Sequence, residues 1–306
     1  MRHVHILVVA VLLTLAGCGS VGIGDGFGGG AGADEANTVN PALTGTPTRS
    51  PTPTQSPSPT PTAVPTPTVT PTLAESLPPS LTTTSADPLL LAGAHEQGLS
   101  GASRTIVQTI SVRSLNGTVV AHSRIRLEDD GRGRIGRLAI EQTVTGSNPR
   151  SVGFIPENVT YWGNASVTVS RVVDPNGSVS YTFDRTQFPP IARSDTTGEG
   201  AVAFAFRIAN LTAVERISVD PAVFRVRGAA AFSPTYEARN VTLTGTVTAS
   251  GVVRSFQVSY VRERGGRLRS ITRTFRVADV GETNVDRPSW YEAAARSSAS
   301  NATTTG

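Results

Sequence analysis

Three sets of residues in this chain could do chemistry. The first is a lone thiol, Cys18, the only cysteine in 306 residues. A single cysteine has no partner for a disulfide and belongs to no cysteine cluster that could hold a metal. The second set is seven asparagines in Asn-x-Ser/Thr triplets: Asn116, Asn158, Asn164, Asn176, Asn210, Asn240 and Asn301. Each is a candidate acceptor for an N-linked glycan in an extracytoplasmic protein, although so Thr- and Ser-rich a chain makes some triplets by composition alone. The third is a run of cations from Arg254 through Arg262, Arg264, Arg267, Arg269 and Arg273 to Arg276, with Glu263 as the single acid among them. A solvated strand face is the plain reading of that run. A surface for an anionic headgroup, glycan or partner is the sharper one.

Other chemistry is missing. His95 falls in a helical stretch and His122 in a strand, neither with a carboxylate at ligand spacing, so both read as packing or surface residues. Glu128-Asp129-Asp130 is an acidic triplet in a turn, and a calcium site there would need oxygen ligands from elsewhere in the fold. There is no HExxH pair, nucleophile elbow, Walker loop or dinucleotide fingerprint. "GDGFGGGAG" has the glycines of a phosphate loop but follows no strand of a βαβ unit. No catalytic, cofactor or metal site is assigned, and a non-catalytic protein is expected.

The surroundings of Cys18 explain the thiol. Arg2 precedes an apolar run from Ile6 to Leu15, and Leu15-Ala16-Gly17 supplies small residues just before the cysteine. This has the form of a secretory leader, and the run is shorter than the roughly 20 apolar residues a membrane span needs. Leu-Ala-Gly-Cys resembles the lipobox of prokaryotic lipoproteins, in which cleavage leaves an N-terminal cysteine that carries lipid on its sulfur. Residues 1–17 are then the leader, and Cys18 ties the chain to the outer face of the cell membrane. His3 and His5 leave with the leader.

Residues 18–85 hold a Gly-rich patch and then "TPTRSPTPTQSPSPTPTAVPTPTVTPT". Proline alternating with Thr or Ser packs no core and extends toward polyproline II; thirty such residues span roughly 90 Å. This is a tether, since Arg49 is the one basic residue beside its proline motifs.

A globular domain is expected over 86–296, followed by a disordered tail at 297–306. Asp87-Pro88 opens a first helix bearing Leu89, Leu90, Leu91, Ala94 and Leu99. Apolar period two then dominates. Asn116-Gly117 joins two alternating segments, which is a strong hairpin signal, and Asp174-Pro175-Asn176-Gly177, Ser250-Gly251 and Gly265-Gly266 mark further turns. Thr196 with Glu199 has capping-box spacing, and Val202, Phe206, Ala209 and Ala213 follow at helical intervals. A short terminal helix is expected at "DRPSWYEAAA". The fold class is therefore α+β, mostly antiparallel: a large curved sheet, or half-barrel, with two or three helices packed on it.

These features together ("LAGCGS", the spacer, "ADPLLLAGAHEQGL", "VTYWGN" and "VDRPSWYEAA") resemble a group of uncharacterised haloarchaeal lipoproteins from residue 86 to about 296. In outline the arrangement is similar to the half-barrels of LolA, LppX and LprG-type lipoprotein carriers, which implies an apolar cavity for acyl chains. The net charge of +4 rests on 27 arginines and no lysine.

Two functions are compatible with this. One is a lipid-anchored binding module holding a hydrophobic ligand, a lipid or isoprenoid. The other is a structural or adhesive cell-envelope glycoprotein without a cavity. The first is preferred here. Its pocket would be lined by Phe256, Val258 and Tyr260 on one strand and Ile271, Phe275 and Val277 on the next. Leu89 to Leu91 and Trp290 would cover it from the two terminal helices. Nucleic acid is not an expected partner outside the cell, and oligomeric state is not encoded legibly.

Overall fold

The computed structural model describes residues 72–133, 136–152, 158–185 and 196–303. Cys18, the leader and the tether up to residue 71 lie outside the described residues. A single helical turn at Leu73–Ser76 and a bridge between Leu81 and Ala86 precede the first helix, so secondary structure begins before residue 86. Leu81 is buried in the core.

The first helix, α1, spans Pro88–Leu99. Asp87 caps it as expected: its carboxylate accepts from the backbone N–H of Leu89 and of Leu90, both at 3.0 Å, and Pro88 takes the first helical position. Six strands follow as a meander: β1 (Arg104–Ser114), β2 (Val119–Asp129), β3 (Leu138–Thr145), β4 (Asn158–Gly163), β5 (Thr168–Val173) and β6 (Val179–Asp184). Helix α2 (Glu199–Ile208) separates them from a second meander of β7 (Asn210–Val219), β8 (Ala222–Ser233), β9 (Ala238–Thr248), β10 (Val253–Arg264) and β11 (Arg267–Ala278). The last helix, α3, is Tyr291–Thr303 and runs on past residue 296, through what the sequence suggests is tail.

All eleven strands form one open antiparallel sheet in the order β6-β5-β4-β3-β2-β1-β11-β10-β9-β8-β7. The first and last strands of the sequence meet at its middle, from Thr105 opposite Ala278 to Ser114 opposite Arg269. Because side chains alternate, each cross-strand row belongs to one face. Val226, Gly245, Phe256, Phe275, Gln108 and Ile125 make one row of the inner face. Arg225, Thr246, Ser255, Arg276, Val107 and Arg126 make the neighbouring row of the outer face.

Helices α1 and α2 pack on each other, and α2 lies against β7, β9 and β10. Their buried Leu91, Ala92, Leu99, Val202, Ala205, Phe206 and Ile208 join Ile106, Leu243, Val258 and Phe275 in one core. Helix α3 does something else. It packs on β5 and β6 and builds a second, smaller cluster around Trp162, Val169, Val285 and Ala294. Trp162 pairs across to Ala139 and Val169, which are outer-face positions. The helices therefore sit on opposite faces at different parts of the sheet.

Two expectations for the α2 region are corrected. The capping box does not form: Gly198, at φ +79°, holds the N-cap position, and no side chain caps the helix. Thr196 instead accepts hydrogen bonds from Arg104. The helix also stops at Ile208, and Ala213 lies in β7, an edge strand whose Leu211 is buried.

Candidate functional site

The six inner-face residues nominated as a pocket do come together. Phe256 lies opposite Phe275 and Tyr260 opposite Ile271, and the two phenylalanine rings stack at 5.2 Å. Phe256, Val258, Tyr260, Ile271 and Phe275 are no more than 4% exposed. Their neighbours are protein: His95 meets the Phe275 ring edge-on at 5.7 Å, and Phe204 of α2 lies 6.1 Å from Tyr260 and 5.0 Å from Tyr236. The guanidinium of Arg273 covers Phe204 at 4.5 Å. These side chains are the core beneath α1 and α2.

The proposed covering residues are corrected. Trp290 lies on the outer face, stacked on Tyr181 at 6.2 Å, while Tyr291 beside it meets Trp162 and Phe183 edge-on. Of the three leucines of α1, only Leu91 is buried; Leu89 and Leu90 are each 62% exposed. The signal for the second apolar face was present in the sequence. Trp162, Val169, Tyr181 and Phe183 alternate with Tyr161, Ser170 and Thr182 along three consecutive strands.

A buried polar joint ties α1, the segment before α2, β1 and β2 together. Val253 N–H donates to His95 Nδ1 at 3.1 Å, so the ring donates through Nε2–H to the Thr197 carbonyl at 2.8 Å. Both nitrogens are used and the imidazole is fully buried, which pushes its pKa down to about 4, chiefly by desolvation. Arg104 donates to the carbonyls of Leu99, Ala102 and Thr196, to the Thr196 hydroxyl, and to Asp129 Oδ2 at 2.6 Å. Burial holds the Arg104 guanidinium below its ordinary value even with Asp129 beside it. Gly131 N–H occupies the other oxygen of Asp129. Nearby, Glu199 in the first turn of α2 is raised above the usual carboxylate range, first by burial and then by Glu96 of α1. Every nitrogen and oxygen at the centre of this joint is committed, so it fastens elements and leaves no free nucleophile or base.

The acidic triplet is likewise accounted for. Glu128 pairs with Arg126, Asp129 with Arg104, and Asp130 accepts from the Arg132 N–H. Among the described residues no group of three His, Cys, Asp or Glu side chains could hold a metal ion.

The arginine run does not form one patch. Arg262, Arg264, Arg267, Arg269 and Arg273 belong to the inner-face side of the β10–β11 hairpin, with Arg264 opposite Arg267 and Arg262 opposite Arg269. Glu237 lies 3.8 Å from Arg262. Arg276 projects from the outer face, and Arg254 stands at the other end of β10, at a break in register. On the outer face Arg276 joins Arg124 and Arg225, which come from distant segments and were not singled out from the sequence.

That outer face is a field of hydroxyls. Thr109 and Thr274 share a hydrogen bond of 2.6 Å, Thr246 and Ser255 one of 2.9 Å, and Ser259 and Thr272 one of 3.1 Å. A hollow of about 600 Å³ lies over it, lined by Arg124, Arg225, Thr246, Ser255, Gln257 and Arg276 among others. A second, of about 710 Å³, adjoins it at Ser255 and Arg276 and reaches Arg254 and Asp279 at the end of the sheet.

Of the asparagines, Asn116, Asn158, Asn176, Asn210 and Asn240 lie toward one rim of the sheet, opposite the end where β1 begins. Asn116 and Asn176 are exposed in hairpin turns. Asn116 Oδ1 accepts from Thr118 N–H at 3.2 Å, and Asn158 Oδ1 from Val144 N–H at 2.8 Å. Asn164 is half-buried in the β4–β5 turn, and Asn301 falls within α3. Compared with models of known families the chain matches none, and no curated protein matches it.

Proposed function

We propose that this chain is a lipid-anchored protein on the outer face of the cell membrane that works without catalysis, as a structural or adhesive module of the cell envelope. The Leu15-Ala16-Gly17-Cys18 motif and the Pro/Thr spacer support an anchor with reach. Among the described residues no helix is long and apolar enough to cross a membrane. The observation that carries the choice over a lipid or isoprenoid carrier is the packing of Phe256, Val258, Tyr260, Ile271 and Phe275 under α1 and α2. The working surface is then the outer face and the rim that bears the asparagine triplets and the Arg264–Arg267 hairpin.

Two measurements test this. Cys18→Ser should release the protein from membranes or block its processing, and unchanged partitioning refutes the anchor. Organic extraction of the protein from its native host should recover no stoichiometric lipid beyond the covalent anchor. A bound lipid at one per chain returns the carrier reading.

A further inference from the structure

We infer that the outer face binds an acidic polysaccharide along the two hollows that meet at Ser255 and Arg276. The inference rests on the reading of the chain as an envelope module that works through its surface. The argument begins with charge. Arg124, Arg254 and Arg276 are exposed and find no hydrogen-bond or ion-pair partner among the described residues, while Arg225 shares only a loose, exposed contact of 3.4 Å with Glu215. The acids nearby are few: Glu128 is held by Arg126, Glu141 sits farther along on β3, and Asp279 borders the second hollow. Unpaired guanidinium groups on one face are matched by carboxylates or sulfates, which they bind through paired N–H groups.

Spacing selects an extended ligand. Arg225 and Arg276 stand three strands apart, about 14 Å, and Arg124 lies two strands and one row beyond Arg276, about 12 Å. A small anion reaches one of these groups at a time, whereas a polymer with repeated charges reaches all of them. The adjoining hollows give such a chain a continuous course from the middle of the sheet to its end.

The lining between the arginines selects a saccharide. Thr244, Thr246, Ser255, Thr274 and Gln257 offer hydroxyl and amide groups, and Val107 is the one apolar side chain that projects there. Hydroxyl pairs such as Thr246–Ser255 hold each other in place, so little ordering remains to be done on binding. A bilayer would need apolar side chains to insert, and a protein partner would need an aromatic or aliphatic anchor. The stretch between Arg225 and Arg124 has neither, and the apolar side chains of the adjoining hollow, the exposed Val280 among them, lie only at the end of the sheet.

The test uses the full chain purified in detergent, with polygalacturonate, dextran sulfate and neutral dextran as immobilised probes at 0.15 M salt. The native protein should bind one or both acidic polymers and not neutral dextran, and the two acidic probes separate carboxylate from sulfate recognition. The double variant Arg124→Gln/Arg276→Gln should weaken binding about tenfold. Arg264→Gln/Arg267→Gln, on the other side of the sheet, should change it less than twofold. Failure to bind either acidic polymer overturns the inference. So does equal binding to neutral dextran, equal loss in the two double variants, or binding to anionic phosphatidylglycerol vesicles in place of polymer. Membrane release of Cys18→Ser is read separately, so loss of polymer binding with anchoring intact overturns the face assignment alone.

Discussion

Acid should loosen this fold through one imidazole. His95 accepts from Val253 N–H through Nδ1, so a proton added there faces another donor in a site without water access. The groups around it give no relief: Arg104 is cationic and disfavours a second positive charge, and the Thr197 carbonyl is already used by Nε2–H. In the unfolded chain the ring titrates near 6.5, and in the fold near 4. The unfolded state therefore binds more protons between these values, and stability rises with pH across that window. The gap corresponds to about 3 kcal/mol, fully available above pH 6.5, lost progressively as pH falls to 4, and not lost further below it. Glu199 acts in the opposite direction, because acid removes a charge that burial, and then Glu96, disfavour. The assay must separate the two. Urea unfolding at pH 7, 5.5 and 4 should be run on the native protein and on His95→Gln, which keeps Glu96 and Glu199. The variant should start lower at pH 7, having lost or distorted two hydrogen bonds worth about 1 kcal/mol each. From pH 7 to pH 4 the difference between the proteins should then move by about 3 kcal/mol in favour of the variant, enough to reverse their order in acid. A difference that stays constant with pH refutes the account.

Other substitutions probe the same architecture. Gly198→Ala should cost about 2–4 kcal/mol, because Gly198 sits at φ +79° and a Cβ there would run into the Phe275 ring; a melting temperature within a degree of native would show that α2 can shift aside. Asp129→Ala strands the buried Arg104 guanidinium and should lower stability by about 3–5 kcal/mol in denaturant unfolding, and a loss under 1 kcal/mol would mean that water reaches the joint. Mass spectrometry of protein from its native host should find glycans on Asn116 and Asn176, the two triplets exposed in hairpin turns; bare asparagine at both, with full coverage, removes the glycoprotein reading.

Most of the sheet was legible because its strands are local facts. Val112 and Ala121 sit across a hairpin that Asn116-Gly117 announces, and buried and wet positions alternate as in Leu138–Thr145. The choice of face for the last helix was not legible. Strands β4 and β5 carry apolar side chains on both sides, as Tyr161 and Val172 on one and Trp162 and Val169 on the other, and the path of residues 279–290 decides which side Trp290 reaches. β7 was hidden for a different reason. Ala209 and Ala213 continue the helical spacing of Val202 and Phe206, and the strand that replaces the helix is an edge with few buried residues to betray it. The outer-face arginines escaped because Arg124, Arg225 and Arg276 become neighbours only through pairings of segments far apart in sequence. Alternation told which way each side chain points, but nothing local told which strand would lie beside it.

The meeting of β1 and β11 at the centre of the sheet sets a schedule for the newborn chain. β1 leaves the ribosome with its β2 side satisfied within a dozen residues, but its other edge waits for a strand about 150 residues later. Throughout that interval the half-sheet β1–β6 presents Ile106, Ile110 and Val112 on an unpaired border, the kind of edge that recruits foreign strands. Termination anywhere before Arg267 would leave a β-competent fragment with that border still open. The protein thus depends on its last strand to seal its first, and truncated copies should aggregate rather than merely lose stability.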